Sequence, residues 1–324
     1  MKANPKPSDF AALIGIDWAD KKHDICEIPG DSDTPVFSVI SASPKSITHW
    51  ALELRSRYPG EKVAVACELK KGPLIYALRR FDHIVLFPLN PSTVANYRKT
   101  FTTSGAKGDP SDALVQAELL LTHMNKFKPL FADDPQVRAL GQLTEYRRSL
   151  VQTKVDFSNK ITSALKNYYP HVLQWFQDKD TDIFCDFVSR WPCLEVAKKA
   201  RKNTLQKFFN EHNSRYPDVN DRRIREIRAS VPLTTDPGVI EPNKTLVEIL
   251  IEHLRLLLRN IEKLDKEIKK IYRSLPDREI FDSLPGAGPQ MAPRLLTAFR
   301  HKPRSVSECR RTSAIRWCRS SNRK

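Results

Sequence analysis

The chain has no pair of cysteines at CxxC spacing: its six, Cys26, Cys67, Cys185, Cys193, Cys309 and Cys318, fall irregularly. Structural zinc sites draw on such pairs and disulfides belong to oxidising compartments, so neither is expected, and the thiols read as buried or idle. Long apolar runs are missing too. No stretch reaches the roughly 18 to 20 apolar residues of a membrane span, and the opening MKANPKPSDF has no apolar leader core, so a cytosolic protein is expected. Acidic charge is the third deficit: 38 Asp and Glu face 54 Lys and Arg, a formal net charge of +16. That balance favours a polyanionic partner over an acidic small molecule, with nucleic acid first and an anionic membrane surface second.

What is present divides by pattern. The 324 residues exceed one ordinary domain and suffice for two. Short β-rich runs open the chain at Ala12–Asp17, His23–Ile28 and Val36–Ile40. A helical stretch from Pro44 to Tyr58 follows, then Lys62–Cys67, a helix near Pro73–Phe81, and His83–Phe87. This β-β-β-α-β-α-β order predicts an α/β domain whose mixed sheet begins as an antiparallel meander and continues in parallel, the ribonuclease H-like layout.

Beyond Pro91 the pattern turns helical, with an amphipathic run through Leu140, Leu143, Leu150, Phe157, Ile161 and Leu165. The section from Pro170 to Pro242 is rich in aromatic and basic residues and reads only as helices and loops. Val247, Leu250, Leu254, Leu257, Ile261, Leu264, Ile268 and Ile271 then alternate three and four apart, the spacing of a coiled-coil seam. Its partner is either the earlier helix of the same chain or another subunit. Leu284-Pro-Gly-Ala-Gly288 resembles a helix-hairpin-helix turn, in which Gly286 and Gly288 would let backbone N–H groups meet a phosphate; a plain glycine-rich turn fits equally. The expected divisions are a catalytic domain at 11–125, a helical linker with coiled coil at 126–275, the start of a C-terminal domain at 276–299, and a basic, disordered tail at 300–324. That tail holds nine Lys or Arg against Glu308 alone.

Four acids stand where phosphoryl chemistry needs them. Asp17 and Glu68 close the first and fourth strands, and Asp109 and Asp112 open a helix in Lys107-Gly-Asp-Pro-Ser-Asp112. If the two strands are neighbours, these carboxylates form one cluster, whose mutual repulsion makes sense around a hard divalent cation such as magnesium. Asp109 and Asp112 also suit a helix cap followed by proline, and Asp20, Asp24 and Glu27 read as surface charges.

Gly15-Ile-Asp-Trp-Ala19 with Lys22-His-Asp24, the later Glu68, and Lys107-Gly-Asp-Pro-Ser-Asp-Ala113 resemble the D-E-D-D signature of insertion-sequence transposases of the "one-ten" group. These are related to Piv-type DNA invertases, with an N-terminal domain similar to the Holliday-junction resolvase RuvC. The resemblance implies a magnesium-dependent recombinase acting on insertion-sequence ends and target DNA, homo-oligomeric, with a structured guide RNA in members of the group. Asp17, Glu68, Asp109 and Asp112 would be its catalytic metal ligands. The family also uses a C-terminal serine nucleophile in a glycine-rich context, and there this sequence departs. Ser320 and Ser321 lie near the expected position without that context, and the basic shift after Phe299 is what a frameshift or truncation would produce. Two other functions are compatible with the residues: a hydrolytic nuclease or junction resolvase on the same fold, and a nucleic-acid-binding remnant without chemistry.

Overall fold

The computed structural model describes residues 5–32, 34–68, 71–101, 109–130, 134–214 and 216–300. The chain divides into two compact units, 1–132 and 133–324.

In the first unit the strands are β1 (Ala12–Trp18), β2 (Lys22–Pro29), β3 (Val36–Ser41), β4 (Val63–Cys67) and β5 (Ile84–Pro88). The helices are α1 (Pro44–Arg57), α2 (Pro73–Leu78), α3 (Pro91–Phe101) and α4 (Asp109–His123). Sheet order is β3-β2-β1-β4-β5. Short turns join β1 to β2 and β2 to β3, which forces antiparallel pairing. Helices α1 and α2 carry the chain back across the sheet, so β4 lies parallel to β1, and β5 to β4. The ribonuclease H-like α/β layout read from the sequence is therefore the observed one, with β1 and β4 adjacent.

The apolar runs explain the central strands. Ile14 and Ile16 point to the face covered by α1 and α2, packing with Val63, Val65, Trp50 and Leu54. Full burial of each isoleucine is worth about 1.5 to 3 kcal/mol. Leu13, Cys26, Ala64 and Ala66 point the other way, onto Ala113, Ala117 and Leu120 of α4. Edge strand β3 is largely exposed.

Asp24 and Glu27 correct the sequence reading. They are 7% and 4% exposed, not surface charges. Alternation along β2 sends them to opposite faces, and Glu27 accepts hydrogen bonds from Arg57 (2.9 Å) and Tyr58 (2.7 Å) at the end of α1. Asp20 is exposed, as expected.

The second unit is helical: α5 (Pro135–Tyr168), α6 (Val172–Trp175), α7 (Asp182–Arg190), α8 (Leu194–Lys199), α9 (Lys202–Glu211), α10 (Pro217–Ala229), α11 (Pro237–Ser274), α12 (Arg278–Asp282) and α13 (Met291–Arg300). Both long helices start on Asp-Pro. Asp134 caps Gln136 N and Asp236 caps Gly238 N, each at 2.8 Å. The α11 seam packs antiparallel on α5 of the same chain. Val137 and Leu140 meet Ile268 and Tyr272 at one end, while Ile161 and Leu165 meet Val247 and Leu254 at the other.

Helices α6 to α10 close around Phe187, whose ring lies 4.9 Å from those of both Phe176 and Trp191. Beside this aromatic core His212 donates to the Phe208 carbonyl (2.9 Å) and to Asp186 (2.8 Å). Burial opposes the imidazolium, but these two bonds and the Asp186 charge prevail and raise its pKa above 6.5. Because the folded-state pKa exceeds the unfolded one, the pair stabilises in full at pH below 6.5 and loses its contribution as pH rises through the raised value. The gap in urea midpoint between the native chain and His212→Gln is expected to be widest at acid pH and to narrow above neutrality. A gap that widens with alkali contradicts this.

Candidate active site

Register brings the first two acids together. Ile16 pairs with Cys67 in the β1–β4 ladder, so Asp17 and Glu68 are the next residues on parallel strands about 4.8 Å apart. Side-chain alternation assigns Asp17 the same face as Gly15, and Glu68 the same face as Ala64 and Ala66. That is the face covered by α4. Burial pushes the Glu68 carboxyl above the usual carboxylate range, the Asp17 charge adds to the rise, and Arg98 of α3 opposes it.

Helix α4 reaches this face because Gly15 has no side chain. A Cβ there would lie 1.9 Å from the Ala113 carbonyl oxygen and 2.7 Å from Ala117 N. The glycine and the two alanines, four residues apart on α4, let backbone meet backbone. Buried Gln116, in the amide orientation its surroundings demand, donates to the carbonyls of Ile16 (2.9 Å) and Ala66 (3.2 Å), tying α4 to both strands. One turn earlier on α4, Asp112 is 9% exposed and ion-paired with Arg98.

Asp17, Glu68 and Asp112 thus belong to one face, with the Arg98 guanidinium paired to Asp112 and its charge acting on Glu68. Asp109 is the first residue of α4, with its side chain outside the description. Asp24, directly opposite Asp17 in the β1–β2 ladder, adds a fourth carboxylate to this face and pairs with Lys22 at 3.4 Å. Its signal was available: a tight turn centred near Asp20 sets 17 opposite 24. Arg98 and Gln116 carried no such signal. Among the described residues no three His, Cys, Asp or Glu side chains already form a metal-holding group. Carboxylate oxygens are nevertheless the donors that a hard divalent cation takes, and Asp17, Asp24 and Glu68 are assigned to one face, so the donor chemistry suits such a cation.

Gly286 and Gly288 stand in the turn between α12 and α13. Gly286 adopts a left-handed φ of 77°, which favours glycine, and the Gly288 carbonyl accepts from Met291 N (2.9 Å) and Ala292 N (3.0 Å), opening α13. Ser320 and Ser321 lie outside the described residues, as does the rest of the basic tail past 300. Among the described residues no helix is long and apolar enough to cross a membrane.

Residues 14–170 match the IS110-type DEDD family, described as "Transposase". A "Mini-circle putative transposase for IS117" from Streptomyces coelicolor is 29% identical over 295 residues, covering 89% of this chain and 71% of that protein. A "Putative transposase y4uE" from Sinorhizobium fredii is 27% identical over 210 residues, covering 63% of this chain and 58% of that protein.

Proposed function

Because the chain belongs, through residues 14–170, to the IS110-type DEDD transposases, we propose that it cuts and transfers DNA strands with divalent cations held by Asp17, Glu68, Asp109 and Asp112. The observation that carries this reading is the β1–β4 register, with α4 seated at Gly15 on the same face. Magnesium held there would activate the attacking oxygen and neutralise the leaving one in an in-line phosphodiester displacement.

The chain's own residues prepare that chemistry. Asp17 and Glu68 sit at the ends of central strands that packing holds fixed, so their oxygens are positioned before any ligand arrives. Gln116 fixes the depth of α4 and hence the height of Asp112 above the sheet. Arg98 neutralises Asp112 and eases ionisation of Glu68 while no metal is held, keeping the carboxylates from driving α3 and α4 apart. Asp24, paired with Lys22, flanks Asp17 and adds to the negative potential that draws a cation in.

The test is incubation of the full chain with insertion-sequence-end DNA and magnesium, scored for nicked strands and protein-linked DNA. Strand breakage that requires magnesium is expected. Breakage that persists unchanged in a chelator overturns the proposal.

A further inference from the structure

The stretch from 198 to 228 lies beyond the residues that match the transposase family, and it holds ten Lys or Arg against four Asp or Glu. The fold gathers part of that charge. Near the end of α10 the Arg228 guanidinium donates to the Lys198 and Ala200 carbonyls, and Lys198 returns a hydrogen bond to the Ser230 carbonyl at 2.8 Å. These bonds fasten the end of α10 to the junction of α8 and α9, where Lys199 and Arg201 are exposed. Arg225, one turn before Arg228, continues the basic face along α10.

Three of the four acids in this stretch are already engaged, and the fourth, Asp218, stands in the first turn of α10, at the end away from Arg225 and Arg228. Asp221 pairs with Lys202 at 3.2 Å, Glu226 with Arg222 at 3.7 Å, and Glu211 with Lys207 at 3.9 Å. Among the described residues no carboxylate lies within 4.0 Å of Lys199, Arg201 or Arg225. The support beneath is rigid: Ile224 and Ile227 are buried, and Arg223 is held between the Phe176 and Phe209 rings at 5.1 and 5.6 Å.

We infer that the face carrying Lys199, Arg201, Arg225 and Arg228 grips the phosphate backbone of duplex DNA. Exposed cations set on a packed surface, with Asp221 and Glu226 of the same helix paired elsewhere, suit phosphates. Among the described residues the strongly exposed aromatic ring of this stretch, Tyr216, stands at the opposite end of α10 from Arg225 and Arg228, which disfavours stacking of unpaired bases on this face. The choice of DNA as the polyanion rests on the transposase reading; the geometry of the face does not.

The experiment compares the full chain with a Lys199→Gln, Arg201→Gln, Arg225→Gln variant, leaving Arg228 because its carbonyl bonds hold the fold. Fluorescence anisotropy follows binding to a random-sequence DNA duplex, in a chelator, from about 50 to about 200 mM salt. Three lost phosphate contacts should lower the slope of log affinity against log salt by about 2 to 3. A control variant with Lys263, Lys269 and Lys270 of α11 changed to Gln carries the same net charge and should keep the native slope. Equal slopes in the native and patch variants, an equal fall in the control, or a fall seen with an RNA hairpin and not with the DNA duplex would each overturn the inference. Because no strand is cut in a chelator, failure of the cleavage proposal would leave this slope unchanged and be told apart from it.

Discussion

Gly15→Ala is expected to cost about 3 kcal/mol or more in stability of the first unit, beyond most overpacking changes, because the added methyl meets backbone. Its Cβ would stand 1.9 Å from the Ala113 oxygen, where real Cβ contacts essentially never fall below 3.0 Å. No rotamer can relieve that clash, so α4 must retreat by about 1 Å, carrying Asp112 away from Asp17, and a misplacement of that size can cost about 100-fold in rate. Thermal unfolding followed by circular dichroism reads the first effect and magnesium-dependent nicking the second. Gly141→Ala is the natural contrast. It lies inside α5 with only Thr297 carbon atoms near, at 3.8 Å, and should stabilise by about 0.5 to 1 kcal/mol because alanine is the better helix former. Equal midpoints for native chain and Gly15→Ala would mean that α4 does not rest on β1.

Asp17→Asn is expected to abolish strand cleavage, lowering the rate by about 1,000-fold or more, the scale on which principal electrostatic groups act. The fold should survive. Asparagine fills the same volume, and loss of the Asp17 charge removes one of the influences that push the Glu68 carboxyl upward. The variant therefore separates chemistry from folding: its unfolding midpoint should match or exceed the native value in metal-free buffer while nicks and protein-linked DNA disappear together. Residual cleavage within about tenfold of native would remove Asp17 from the ligand set; nicks without linked DNA in the native chain would instead support hydrolysis.

The β-rich half of the fold was legible because each strand coincides with an apolar run bounded by turns, and the helices between Ser41 and Ile84 dictate which strands run parallel. Asp17 and Glu68 followed from the same pattern, each standing at the end of such a run. Asp24 was misjudged because alternation in β2 yields buried residues on both faces when helices cover both, so polarity no longer marks the exposed side. The seat of α4 was hidden for a different reason: closeness there comes from what Gly15, Ala113 and Ala117 lack. Arg98 pairs with a residue fourteen positions away, a relation that no local period encodes. Between 170 and 242 the helices are only four to thirteen residues long and share aromatics with both long helices, so no single window carries a clean period.

Whether the two strand-end acids hold a divalent cation is read by a manganese titration of the intact chain, its Asp17→Asn variant and its Glu68→Gln variant, followed by electron paramagnetic resonance. If Asp17 and Glu68 hold the cation, the native chain binds manganese and each variant binds it about tenfold or more weakly, about 1.4 kcal/mol. Native-like manganese affinity in both variants would contradict that assignment.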